Sequence, residues 1–82
     1  MKITTLAKTQ KKNTIFSLIK ITDKGDVYQV KTDRNVLIWT YTAYEYADDG
    51  INIKKRISPP YGINEFKYKE ALTTILRFIG VA

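Results

Sequence analysis

Apolar and polar residues alternate with a period of two through the first two thirds of the chain. Because side chains on a strand point alternately to its two faces, this period predicts β-strands. Four strands are predicted, over residues 14–22, 27–32, 36–46 and 51–58. Residues 23–26, 33–35 and 48–50 between them carry the Asp, Asn and Gly that tight turns prefer. Pro59 and Pro60 end the fourth strand, since proline cannot donate to a β-ladder.

The period changes to that of a helix near the C-terminus. Asn64 is a good N-cap, Glu65 suits the positive end of a helix dipole, and Gly80 favours a helix stop. One apolar stripe runs along this segment through Tyr68, Ala71, Leu72, Ile75, Leu76 and Ile79. The order β-β-β-β-α predicts an α+β fold: a four-stranded antiparallel meander sheet with one C-terminal amphipathic helix packed on one face.

Residues 1–13 carry positive charge without a pronounced period. Lys2, Lys8, Lys11 and Lys12 occur there with no acidic residue. We interpret this segment as a flexible basic arm, ending at most in a short strand. With 82 residues, the chain is predicted to form a single small α+β domain over residues 1–82, with a thin core.

The length of the loop between the second and third predicted strands decides where Trp39 lies. A three-residue loop, with Asn35 in a bulge, pairs Val30 with Ile38 and leaves Trp39 on the face without the helix. A loop of even length would instead place Trp39 and its neighbour Tyr41 in the core. We favour the three-residue loop because it gives the helix a more continuous apolar floor.

Combined with two-residue loops at positions 24–25 and 49–50, this register divides the sheet into two faces. The face predicted under the helix holds Ile15, Ile19, Ile21, Tyr28, Val30, Val36, Ile38, Tyr44, Ile51, Ile53 and Ile57. The face predicted to be uncovered holds Phe16, Leu18, Lys20, Gln29, Lys31, Leu37, Trp39, Tyr41, Lys54 and Arg56.

The second face combines aromatic rings with cations, the pattern that single-stranded nucleic acid needs. Trp39 and Tyr41 would stack on bases, and four cations would meet phosphates: Lys20, Lys31, Lys54 and Arg56. The net charge of +6, from 14 Lys and Arg against 8 Asp and Glu, also attracts polyanions. Two structural readings compete with this one. A Trp in a central strand is commonly part of the core, and a charge of this size also serves solubility.

The predicted order of elements resembles that of the small single-strand-binding domains of transcriptional coactivators, which pair as dimers. The resemblance lies in element order and implies nucleic acid as partner and a homodimer as assembly. An alternative is an inhibitor or adaptor of the kind that phage or mobile-element genes encode, binding an acidic protein surface through the same face. A third is a structural homodimer in which that face covers itself.

Catalytic chemistry is poorly represented. The chain has no His and no Cys, so the commonest general base and the usual zinc ligands are missing. The acidic residues fall mainly in predicted turns, and a carboxylate-only Mg²⁺ nuclease is the one enzymatic alternative. We therefore expect a protein that is not an enzyme and needs no cofactor or metal. With no apolar run of about 18–20 residues, and no apolar core in residues 1–12 for a signal peptide, the expectation is cytoplasmic, without membrane contact.

Overall fold

A computed structural model describes residues 1–23, 25–42, 44–46, 53–56 and 67–81. Its elements, in chain order, are β1 (Lys2–Lys11), β2 (Thr14–Thr22), β3 (Asp26–Thr32), β4 (Leu37–Thr42), β5 (Tyr44–Tyr46), β6 (Ile53–Arg56) and α1 (Tyr68–Phe78). Strands β1 to β4 form a four-stranded antiparallel sheet in sequence order, and α1 packs against it. The predicted α+β class, a meander sheet with a C-terminal helix, is confirmed.

The first strand of the sheet is the segment predicted to be a basic arm, and that prediction was wrong. Residues Lys2–Lys11 pair along their length with β2, interrupted by one bulge between Thr5 and Ala7. Threonines at positions 4, 5 and 9 favour an extended backbone. β1 has only one neighbouring strand in this sheet and is therefore an edge strand. Its exposed lysines suit that position, because charge on an edge strand discourages pairing with other chains.

The strand predicted over residues 36–46 is divided between two sheets. β4 belongs to the main sheet, whereas β5 pairs with β6 in a separate two-stranded sheet. Tyr46 lies opposite Ile53, as predicted, but a bulge then places Tyr44 opposite Arg56. The fourth predicted strand is therefore not part of the main sheet. Its predicted end residues, 51, 52, 57 and 58, lie outside the described residues.

Helix α1 begins at Tyr68, after Lys67 in an extended conformation, and not directly after Asn64. Asn64 and Glu65 lie outside the described residues. The predicted apolar stripe is confirmed in its centre, where four residues are buried: Ala71, Leu72, Ile75 and Leu76. No helix in the described part of the chain has the length and hydropathy needed to span a bilayer.

The core lies between α1 and a sheet face that mixes the two predicted faces: Tyr28 and Val30 lie under the helix as predicted, but Phe16 and Leu18, predicted to be uncovered, lie there too. Phe16, Leu18, Tyr28 and Val30 are buried against the helix, whereas Ile15 is exposed. The predicted partition of the faces was therefore wrong. One cause is the β2–β3 turn, where Thr22 pairs with Asp26 and leaves a three-residue loop. A two-residue loop had been expected, and one extra residue exchanges the faces of the following strand.

The second cause is a bulge in β4. The three-residue β3–β4 loop forms as predicted, since the Thr32 N–H donates to the Val36 carbonyl at 3.0 Å and Asn35 has a φ of 62°. Beyond it, however, the register shifts so that Trp39 lies opposite Val30 in place of Ile38. Trp39 consequently lies on the helix side of the sheet.

Candidate nucleic-acid interface

Three of the predicted site residues share the helix side of the sheet. The rings of Trp39 and Tyr41 are stacked, with centroids 6.1 Å apart and planes 8° from parallel. Both are half-buried and pack against the core. Lys20 lies across from Tyr28, with its Nζ 6.0 Å from the ring centroid and 3.6 Å from Asp26 Oδ2. The aromatic pair therefore stabilises the fold, and the charge of Lys20 is shared with a carboxylate.

The other three predicted residues are not brought to that surface. Lys31 lies on the opposite face of the sheet, across from Ser17 and Leu37. Lys54 and Arg56 belong to β6, which is outside the main sheet, and their side chains are not among those described. The six-residue surface of aromatic and cationic side chains on an uncovered sheet face was therefore a wrong prediction about geometry. The part of each residue in binding stays a prediction.

A different group of cations is brought together at one end of the sheet. In an antiparallel meander the first and third turns lie at the same end. A hydrogen bond from the Asp33 N–H to the Ile15 carbonyl, 2.9 Å long, ties the third turn to the beginning of β2. The residues after α1 reach the same end, since Gly80 and Val81 line a pocket together with Lys11 and Lys12.

Four exposed cations mark this end, which we call the basic end: Lys11, Lys12, Arg34 and Arg77. Asp33 is the one acidic residue in the two turns and the last helical turn that form it. Lys8 and Lys31 extend the positive charge along the sheet, on either side of Ser17. The opposite end holds Asp23 and Asp26 at the β2–β3 turn together with Lys2, which lies opposite Thr22, and Lys20, which pairs with Asp26. The basic end therefore differs from the opposite end in having four exposed cations against one carboxylate, whereas the opposite end is mixed in charge.

Local backbone structure presents Lys12 at the tip of the β1–β2 turn. Its φ is 54°, in the left-handed region that few residues other than glycine adopt. The Gln10 side-chain amide donates to the Lys12 carbonyl at 3.3 Å, which supports the turn. The ammonium groups of Lys11 and Lys12 thus extend from adjacent positions of a defined turn.

The sheet face away from α1, which we call the open face, carries an apolar row near the β2–β3 turn. Ile3, Ile21 and Val27 form one row across three strands, and Ile19 lies in the next row. Ile3 is 56% exposed and Leu37, in a further row, is 49% exposed. The described residues of this face include no aromatic side chain, and its charged ones, Lys8 and Lys31, are both positive. Such a face suits contact with another protein better than base stacking.

Comparisons of the chain with protein-family models, with curated proteins and with solved structures find no match. Function is therefore inferred from geometry and charge alone. Among the described residues there is no group of three His, Cys, Asp or Glu side chains that could hold a metal ion.

The basic end escaped detection in the sequence because its members come from distant positions: 11, 12, 34 and 77. The signal that could have revealed it was the β-propensity of residues 2–11. Once that segment is recognised as a strand, the meander places the turns at positions 12–13 and 33–35 side by side.

Proposed function

We propose that this protein is a non-enzymatic nucleic-acid-binding module and that the basic end is its contact surface. The observation that supports the proposal is the position of Lys11, Lys12 and Arg34 at two turns of one sheet end, where the last helical turn, with Arg77, also finishes. Flexible cations at the tips of turns can meet phosphates without a fixed base sequence, so binding is expected to be weakly sequence-dependent.

The charge geometry sets the expected dependence on salt. Each phosphate neutralised by Lys or Arg releases condensed counterions, so the binding constant falls as salt rises. With four contacts to a single strand, log K should fall against log salt with a slope of about −3. Lys8 and Lys31 would make the slope steeper if the strand continues along the sheet.

Fluorescence anisotropy with a labelled single-stranded oligonucleotide of about twelve nucleotides tests the proposal. The titration is done at about 50 and about 200 mM salt. The Lys11→Glu/Lys12→Glu variant removes two cations of the basic end. The Lys2→Glu/Lys69→Glu variant is the matched control, because it changes the net charge equally at exposed positions outside that end. We expect the first variant to lose about tenfold or more in affinity and a slope smaller by about 1–2.

Two results would count against the proposal. Equal losses in the two variants would mean that total charge, and not the basic end, attracts the oligonucleotide. Wild-type binding that does not respond to salt would mean that phosphate contacts do not supply the affinity.

A second function, binding to an acidic protein, is favoured by the open face. Its apolar side chains, with Lys8 and Lys31 on the same face, match a partner surface that carries carboxylates around apolar side chains. A second copy of this chain fits less well, because the described charges that would approach each other are positive. An inhibitor or adaptor protein would use such a face.

Capture from a nuclease-treated lysate, compared among variants, separates this function from the first. The Ile3→Glu/Leu37→Glu variant places repulsive charges on the open face, whereas Lys11→Glu/Lys12→Glu leaves that face intact. An acidic partner that is lost with the first variant and kept with the second supports protein binding. A partner lost only with the second variant assigns the contact to the basic end.

A further inference from the structure

We infer that the pocket at the basic end holds one unstacked nucleotide, which makes the protein selective for single strands over duplex. This inference rests on the proposed nucleic-acid function and adds the form of the ligand. The pocket lies between the β1–β2 turn and the end of α1. It has a volume of about 360 Å³ and is lined by Lys11, Lys12, Thr14, Phe16, Gly80 and Val81.

The volume of the pocket suits a ligand of the size of one nucleotide and is too small to admit a double helix. Pockets that hold small molecules and cofactors commonly span about 300–1,000 Å³, and this one lies near the lower limit. A cavity of that size accepts one base with its sugar. It is bounded on one side by β1 and β2 and on the other by the two residues that follow the helix cap, Gly80 and Val81.

The lining has a cationic part and an apolar part, which complement the anionic phosphate and the flat base of a nucleotide. Lys11 and Lys12 are exposed and can bring ammonium groups to a phosphate at the mouth of the pocket. Phe16 is nearly buried, so it presents a limited apolar edge, and Val81 adds an apolar wall. The Thr14 hydroxyl can donate or accept a hydrogen bond at the polar edge of a base.

The end of the helix orients this ligand. Carbonyl groups at a helix C-terminus carry partial negative charge, so a phosphate is disfavoured beside Gly80 and favoured beside the lysines. The amino and imino groups of a base carry partial positive charge, which suits this side of the pocket. An isolated anion would gain from only one part of the pocket, whereas a nucleotide matches both.

Single-strand selectivity follows from access. A base can enter a pocket only if it is unstacked and unpaired, which costs a few kcal/mol in a duplex and little in a flexible single strand. A duplex can still meet the cations of the basic end through its phosphates. The pocket should therefore add affinity for single strands without adding affinity for duplex.

Anisotropy titrations with a fluorescein-labelled twelve-residue oligothymidylate, and with a duplex of equal length at the same ionic strength, test the inference. The Val81→Trp variant fills the pocket from the helix side, and Thr14→Phe fills it from the sheet side. Leu37→Trp, which introduces the same side chain on the open face, is the control. Circular dichroism and thermal unfolding establish that each variant is folded, and the second filling variant replaces the first if Val81→Trp does not fold.

We expect a filled pocket to reduce single-strand affinity about fivefold or more, in the range of one lost base contact, and to leave duplex affinity unchanged. Equal reductions for the two ligands, or no reduction for either, would overturn the pocket assignment. In both cases the loss of binding in Lys11→Glu/Lys12→Glu would still support the basic end. Failure of the wild-type protein to bind either ligand would instead overturn the proposed function itself.

Discussion

The backbone N–H of Val81 donates to the carbonyl oxygen of Leu76 at 2.9 Å, and this bond closes the C-terminal end of α1. A second bond, from the Gly80 N–H to the Arg77 carbonyl at 3.1 Å, completes a Schellman motif. The motif satisfies two helix carbonyls and turns the chain towards the β1–β2 turn. These two hydrogen bonds therefore end the helix and hold Gly80 and Val81 in place as one wall of the pocket.

Replacing Gly80 by Ala should lower the free energy of unfolding by about 1 kcal/mol, because Gly80 has a φ of 82°. A Cβ at this position would meet no atom within 4 Å, so backbone conformation alone causes the loss. Urea unfolding followed by circular dichroism measures it. Gly80→Asn is the control, since Asn tolerates the left-handed region better, and an equal loss in both variants would contradict this explanation.

Two leucines provide a matched test of where the core lies. Leu72 of α1 is fully buried against the sheet, whereas Leu37 on the open face is 49% exposed. Leu72→Ala should cost about 2–5 kcal/mol, enough to unfold a marginal domain, and Leu37→Ala should cost much less. Ile75→Val, a smaller truncation in the same core, should cost about 0.5–1.5 kcal/mol and keep the protein measurable. Similar costs at Leu37 and Leu72 would mean that the open face is covered.

The helix and the class of the fold could be predicted because their signals are local. The stripe through Ala71, Leu72, Ile75 and Leu76 requires only the period of a helix, and Gly80 marks the end of that helix. The start of α1 was predicted less well, because Asn64 resembles an N-cap while the helix begins after Lys67, whose side chain makes no capping hydrogen bond.

The faces of the sheet could not be predicted because they depend on single-residue details. One extra residue in the β2–β3 loop shifts the pairing of β2 with β3 by one residue. Val30 therefore shares a sheet face with Leu18 and not with Ile19. The bulge at Ile38 then changes the side of Trp39, and the sequence around Ile38 carries no sign of it. The predicted site depended on both details, so it failed as a surface even though the sheet itself was predicted.

Asn35 should tolerate glycine but not a β-branched residue. Its φ is 62°, and its N–H donates to the Thr32 carbonyl at 2.9 Å in the β3–β4 loop. Asn35→Val should cost about 1–2 kcal/mol because valine strains in the left-handed region, while Asn35→Gly should be close to neutral. Thermal unfolding of the two variants measures the difference. Equal stability would contradict a loop that requires a positive φ.

Replacing Trp39 distinguishes the basic end from the aromatic surface that the sequence suggested. Trp39 is stacked on Tyr41 and packs against the core, so its ring is expected to contribute to stability and not to oligonucleotide binding. Trp39→Leu keeps an apolar side chain there but removes the aromatic plane. If Trp39 were a stacking platform, its loss would weaken single-strand binding by about 1–3 kcal/mol.

We expect the affinity of Trp39→Leu for the single-stranded oligonucleotide to stay within about twofold of wild type, well below the loss of a stacked base. Its free energy of unfolding should fall by about 1–3 kcal/mol, because a large partly buried ring is replaced by a smaller side chain. Anisotropy and urea unfolding on the same preparation measure the two effects. A large loss of affinity with unchanged stability would return the binding site to Trp39 and Tyr41, because a ring that only supports the core cannot produce that combination.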